Sequence, residues 1–218
     1  MVMEISALST GLPQELKQGS MKKPLVTGIK KTQVERVYLT KDGFKGDGVG
    51  DKKNHGGLDR AVCFYPQEHY PQWEKELHRP LPNAAFGENL TVTNMLEEKV
   101  YIGNVYKIGE AVIQITQGRI PCSTIDNYTQ ADTLLKRTIE TGFTGYLARV
   151  LEEGYISSTS SIKLLEEHAQ RKSVLACNHV YFANEDWLAM EEIASIEPLA
   201  ADWKRRLAKR IDRLKQQR

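Results

Sequence analysis

Short β-branched runs broken by turn residues open the chain. Val2–Leu8, Val26–Lys30 and Val34–Leu39 read as strands, separated by Gly11-Leu12-Pro13 and Asp42-Gly43. Six glycines fall between residues 41 and 60 (43, 46, 48, 50, 56 and 57), too many for a helix interior, so this stretch reads as loop. Ala61–Tyr65 is a short apolar strand. After it, His69, Trp73 and Leu77 recur at helical spacing, with Pro71 in the first turn where a missing N–H is tolerated. Leu90–Thr93, Val105–Ile108 and Ala111–Thr116 read as strands, and the last alternates Val112, Gln114 and Thr116 against Ala111, Ile113 and Ile115. Gly103-Asn104 and Gly109-Glu110 punctuate them. Ala131–Glu140 and Tyr146–Leu151 predict helices, and Ser160–Leu165 a closing strand.

From about residue 170 the pattern turns helical. Ser173 is placed to cap a helix through Phe182. Asn184, followed by acidic Glu185 and Asp186, is placed to cap a second to about Ser195, and Pro198 precedes a third to about Leu214. The outline is a mainly β domain over residues 1–168 followed by a small C-terminal three-helix bundle over 169–218.

Composition narrows the class. The chain has 218 residues, and 40% hydrophobic with 27% charged content excludes a disordered or fibrous chain. No apolar run approaches the ~20 residues that cross a bilayer, and the N-terminus lacks the basic-then-apolar pattern of a secretory signal. Three cysteines give no disulfide framework. The expectation is a soluble cytoplasmic protein with reduced thiols and no membrane association. The formal charge of +2 is uneven: residues 199–218 carry eight Lys/Arg against Asp202 and Asp212. Trp203, Leu207, Ile211 and Leu214 form an apolar stripe there, so the basic residues read as the solvated face of an amphipathic helix. Few aromatics interleave with them, which argues against a nucleic-acid partner.

Three segments concentrate polar groups: residues 46–60, Phe86-Gly87-Glu88-Asn89-Leu90-Thr91, and Gln117 to Asp126. Cys63 and Cys177 lie in apolar surroundings and read as small core residues. Cys122 follows a proline, leaves a strand, and is flanked by Arg119, Ser123 and Asp126. A guanidinium and free backbone N–H groups nearby favour a thiolate, which attacks electrophiles or ligates a soft metal. An inert turn cysteine fits these residues equally well. His55 precedes Gly56-Gly57 and follows Lys52-Lys53. Such glycines let a backbone approach a ligand and present N–H groups to an anion, although taken alone the stretch also reads as a hairpin turn with solvated lysines. Glu88 and Asn89 suit either heterocycle recognition or a turn cap. No structural zinc spacing, phosphate-binding loop, dinucleotide fingerprint or serine-hydrolase elbow is present.

Taken together, these segments resemble the MOSC family, the domain named after the C-terminus of molybdenum-cofactor sulfurase. The resembling stretches are Thr27-Gly28-Ile29-Lys30, Gly46-Asp47, Lys53-Asn54-His55-Gly56-Gly57-Leu58-Asp59-Arg60-Ala61-Val62, Tyr65-Pro66 with His69-Tyr70 and Trp73, Phe86-Gly87-Glu88-Asn89-Leu90, and Arg119-Ile120-Pro121-Cys122. They run in order over most of residues 25–165. The trailing helices look like the appendage of one branch, the 6-N-hydroxylaminopurine resistance proteins (YiiM type). The resemblance implies a MOSC-type β-barrel with peripheral helices that binds a molybdopterin-type molybdenum cofactor. It implies Cys122 as the protein ligand to molybdenum, and Lys53, His55, Gly56, Gly57, Arg60, Asn89 and Arg119 in the cofactor pocket. It further implies a reductase of N-hydroxylated bases, a separate flavoprotein reductase as electron donor, and a homodimer. Cys122 and His55 are the candidate catalytic pair, His55 as a proton donor or as a structural hydrogen-bonding group. The alternative reading is a carrier of sulfur or of the cofactor that uses Cys122 without turnover.

Overall fold

The computed structural model describes residues 2–16, 25–51, 55–183 and 185–217. The strands are β1 (Glu4–Thr10), β2 (Gln14–Leu16), β3 (Leu25–Thr27), β4 (Thr32–Gln33), β5 (Arg36–Thr40), β6 (Gly43–Phe44), β7 (Val62–Pro66), β8 (Leu90–Thr93), β9 (Val105–Ile108), β10 (Ala111–Gly118), β11 (Tyr146–Glu152), β12 (Gly154–Ser157) and β13 (Ile162–Glu166). Eight of them form one sheet in the order β13-β9-β10-β11-β7-β8-β1-β4, with β12-β5-β6 and β2-β3 as smaller sheets. The β7–β8 pair is parallel and its neighbours are antiparallel, so the large sheet is mixed. It curls as a half-barrel. Among the described residues β13 and β4 stand at opposite ends and do not pair, so the expected MOSC-type β-barrel takes the form of a curled half-barrel.

The helices are α1 (Tyr70–Leu77), α2 (Thr124–Thr129), α3 (Leu134–Thr141), α4 (Val174–Ala183), α5 (Trp187–Ala194) and α6 (Ala201–Gln216). Helix and strand occupy comparable shares of the chain, which corrects the mainly β expectation. One expected helix is a strand: Tyr146–Glu152 is β11, paired to β10 on one side and β7 on the other. Tyr146, Leu147, Ala148 and Val150 are all buried. A strand covered on both faces loses the alternation that marks half-buried strands, and its apolar run is then ambiguous with a helix.

The three C-terminal helices are present, but their buried faces do not close a core of their own. Val174, Cys177, Tyr181, Met190, Trp203, Leu207 and Ile211 belong to one cluster with Phe64, Ile113, Ile115 and Tyr146 of the sheet. The apolar stripe of α6 thus faces inward as its spacing requires, and Trp203 stacks on Tyr181 of α4 at 4.3 Å. Asp186 caps α5 by accepting from the Ala189 N–H at 3.0 Å; the expected cap, Asn184, lies outside the described residues.

Helix α6 is fixed to the glycine-rich segment by charge. A 3-10 turn, Leu58–Arg60, follows Gly57. Asp59 in that turn accepts from the Ala201 N–H at 3.0 Å, satisfying an otherwise unpaired donor in the first turn of α6. It also accepts from Arg149 Nε of β11 at 3.0 Å and forms an ion pair with Nη2 of the same guanidinium at 2.7 Å. The neighbouring Arg60 lies 3.8 Å from Asp202 of α6. Replacing Asp59 removes the cap and leaves Arg149 without its carboxylate. Asp59→Ala is expected to cost about 2 kcal/mol and to raise hydrogen exchange in the first turn of α6. Unchanged exchange there would show that apolar packing alone seats the helix.

Candidate active site

A cavity of about 900 Å³ opens beside the glycine-rich segment. Its lining takes in His55, Gly56, Gly57, Arg60, Asn89, Arg119 and Cys122, residues that are up to 67 positions apart in sequence. The structure therefore brings together all the expected pocket residues except Lys53, which lies outside the described residues. Two close backbone crossings shape the wall. A Cβ on Gly28 would sit 1.9 Å from the Gly48 carbonyl oxygen, and one on Gly50 would sit 2.0 Å from that of Val26. Any side chain at either position would separate the two segments. Gly57, at φ 114°, makes the turn into Leu58–Arg60 in a backbone region that other residues rarely enter.

Asn89 lines the cavity, yet its polar groups are largely spent on the frame. Its N–H donates to the Cys63 carbonyl at 2.8 Å and its Oδ1 accepts from the Cys63 N–H at 3.1 Å. Its carbonyl accepts from the Ser9 N–H at 2.8 Å, and its Nδ2 donates to Asp47 Oδ2 at 2.8 Å. Asp47 also accepts from the Gly11 N–H at 2.8 Å and forms an ion pair with buried Lys31. Asn89 thus locks β1, β7 and the Asp47 loop to one another. Its neighbour Glu88 faces away from the cavity into a buried network. It accepts from Tyr70 at 2.5 Å, from Thr91 at 3.1 Å and from the Phe86 N–H at 3.1 Å. Burial raises its pKa despite these donors. Of the two expected roles for Glu88, the structure supports the internal one.

Cys122 stands between the end of β10 and α2, half-buried on the cavity wall. Burial alone would raise its pKa. Hydrogen bonds from the His55 side chain, from the Thr124 hydroxyl and from the Thr124 N–H act the other way, as does the Arg119 guanidinium. The Thr124 hydroxyl lies 3.3 Å from Sγ. The opposing effects win and bring the thiol from an ordinary 9.0 down to about 6. The other two thiols move in the reverse direction, because burial dominates for both: Cys63 to about 11 and Cys177 to about 12. Cys177 is fully buried as expected. Cys63 is only partly buried and borders the cavity, so its core assignment holds on one side only.

Two lining side chains carry buried polar atoms with no protein partner: Arg119 Nη1 and Gln117 Oε1. Buried groups of this kind are costly unless something satisfies them. Lys31 and Arg206 are two charged lining residues that the sequence did not single out. Lys31 and Asp47 form a pair across a chain crossing, which leaves no local pattern. Arg206 sits on the face of α6 expected to be solvated.

The MOSC domain pattern matches residues 51–163. The chain belongs to the MOSC family. Protein YflK of Bacillus subtilis is 42% identical over 212 residues, 96% of this chain and 95% of that protein. The crystal structure of YiiM from Geobacillus stearothermophilus superposes with a TM-score of 0.80 at 32% identity, covering 96% of this chain and 99% of that one. The expected YiiM-type branch of the MOSC family is therefore the right one. A protein of Gibberella moniliformis named "Reductase" is 37% identical over 171 residues, 76% of this chain and 30% of that protein. No helix of this MOSC protein, among the described residues, is long and apolar enough to cross a membrane.

The depressed pKa of Cys122 gives a direct test. Its thiolate is favoured in the folded state, so it contributes stability that is complete above about pH 9 and lost as pH falls through about 6. Alkylation by iodoacetamide is expected to follow a midpoint near pH 6 at Cys122 alone, with Cys63 and Cys177 unlabelled at pH 7. His55→Ala should move that midpoint upward. Peptide mapping after a pH series reads both, and a Cys122 midpoint above 8 would contradict the assigned hydrogen bonds.

Proposed function

We propose that this chain is a molybdenum-cofactor-dependent reductase that converts N-hydroxylated bases such as 6-N-hydroxylaminopurine to their amines. The observation that carries the reading is a thiol held as thiolate in a cavity whose wall also presents a buried, unpartnered guanidinium nitrogen. A thiolate is the form that binds a soft metal, and a guanidinium with a glycine-rich backbone is the usual partner of a phosphate. Membership of the MOSC family and the fungal relative's name point the same way.

In this reading Cys122 Sγ ligates the metal. Arg119, Lys53 and the N–H groups around Gly56 and Gly57 hold the cofactor's phosphate, with Arg60 and Asn89 shaping the same pocket. Gln117 Oε1 accepts from a donor on the cofactor or the base. His55 holds the thiolate through its ring N–H and stands at the cavity wall, placed to pass a proton toward the departing hydroxyl. The chemistry the cofactor supplies when bound is the two-electron, two-proton reduction of N–OH to N–H with release of water. The electrons come from a separate flavoprotein, since this chain carries no flavin or nicotinamide motif. The working form is a cytoplasmic homodimer.

Elemental analysis of protein made in a cofactor-producing host should find molybdenum in the wild type and at least about 100-fold less in Cys122→Ser, with near-native circular dichroism. Coupled to a flavoprotein reductase, the wild type should consume 6-N-hydroxylaminopurine and the variant should not. Molybdenum retained by Cys122→Ser defeats the ligand assignment. Bound molybdenum without turnover favours the carrier reading over the enzyme.

A further inference from the structure

The outer face of α6 is a basic stripe. Residues 201–218 hold eight Lys/Arg against Asp202 and Asp212 in a chain of net charge +2, which leaves the rest of the chain at −4. The molecule is thus polarised, with an acidic body and one basic helix. Trp203, Leu207 and Ile211 are buried, while Arg205, Lys209 and Arg213 stand exposed at spacings of four. Arg205, 65% exposed at its side chain, pairs with Asp202. Among the described residues Lys209 and Arg213 have neither an ion pair nor a hydrogen bond from their side chains. Lys215 is paired with Glu191 at 2.7 Å, and Asp212 is the one exposed carboxylate of α6. Like charges four apart on a helix repel one another, so the stripe does not serve to stabilise α6.

The stripe begins at the cavity wall. Arg206, next in the chain to Arg205, lines the cavity, and the bond from the Ala201 N–H to Asp59 holds the start of α6 against the turn that follows Gly57. From Arg205 to Arg213 the helix rises ~12 Å. The proposed reduction consumes two electrons and two protons for each N–OH converted to N–H and water, and the electrons arrive from a second protein. A negatively charged partner is repelled by the acidic body and drawn to α6, which orients it beside the cavity. Nucleic acid fits the stripe less well, because Trp203, the one aromatic residue of α6, is fully buried and offers no stacking face. A second copy placed about a twofold axis on this face would set like charges against each other.

We propose that the exposed stripe Arg205, Lys209 and Arg213 of α6 is the docking surface for the electron donor, and that the donor is an acidic flavoprotein. The proposal rests on the reductase reading above for the need of a donor. Its own content is the place where the donor sits and the charge that brings it there.

The test uses molybdenum-loaded wild type, the double variant Lys209→Gln/Arg213→Gln, and Lys209→Glu. Turnover of 6-N-hydroxylaminopurine is driven either by reduced flavodoxin, an acidic flavoprotein, or by reduced methyl viologen, a small cation that needs no docking surface. The double variant should raise KM for flavodoxin about tenfold and flatten its dependence on salt. Its viologen-driven rate and molybdenum content should match the wild type, and Lys209→Glu should raise KM for flavodoxin as well. An unchanged KM for flavodoxin in the double variant overturns the proposal, as does a wild type that viologen drives and flavodoxin does not. Calorimetric binding of flavodoxin, which needs no turnover, should weaken in the double variant by the same factor. A single-stranded oligonucleotide that binds the wild type more tightly than flavodoxin at equal salt, and loses that binding in the double variant, would reassign the stripe to nucleic acid and overturn the donor assignment. A wild type that turns over with neither donor sinks the reductase reading, whereas turnover with viologen alone sinks only the docking surface.

Discussion

The ion pair of Lys31 and Asp47, largely shielded from water and joined by Asn89, is the constraint on which the cavity depends. A buried charge without its partner is costly by several kcal/mol, so the loop carrying Asp47 has one acceptable position against the sheet. Asn89 converts that position into a register, because the same residue bonds Ser9 of β1 and Cys63 of β7. The glycine crossings at 28 and 50 follow from it: once the Asp47 loop is pinned, only residues without a Cβ allow the 26–28 segment to lie against it. The cavity floor is thus set by electrostatics and backbone clearance, and the apolar core lies behind it.

Three chemically identical thiols illustrate how much the surroundings decide. Cys177 and Cys63 are held protonated by burial, and Cys122, itself half-buried, is drawn the other way by donors converging on its sulfur. Those donors come from two places, the turn into α2 and the loop around His55. The loop is held in turn through Asp59 and Arg60, which engage α6. The reactive state of Cys122 is thereby linked to the seating of the last helix through six residues of continuous chain, 55–60. The last helix forms part of the wall of the site through Arg206.

Much of this was legible in the sequence. Glycine density marked residues 41–60 as a loop, the spacing of Trp203, Leu207 and Ile211 gave the inward face of α6, and Cys122 stood apart from the other thiols by its polar neighbours. Each of these signals is local: backbone clearance, helical period and flanking charge act within a few residues. Tyr146–Leu151 failed as a helix because it is a strand flanked in the sheet by β10 and β7 whose successive residues Tyr146, Leu147 and Ala148 are buried on both faces, which erases the periodicity that the reading relied on. That the expected barrel is a half-barrel was not legible, because closure depends on whether β13 and β4 meet, which no single strand's pattern encodes.

By itself, then, the chain's order of residues determined which side chains carry chemistry: a polar cysteine, a histidine before paired glycines, an arginine three residues ahead of that cysteine. Folding decided what those groups do. The approach of His55 to Cys122, the orphaned nitrogen of Arg119, and the turning of Arg206 from a solvent-facing charge into a wall of the cavity all require segments separated by 67 to 146 residues to meet. The energies involved are charge–charge and hydrogen-bond terms that fall off over a few ångströms, and distance in space is not written along the chain.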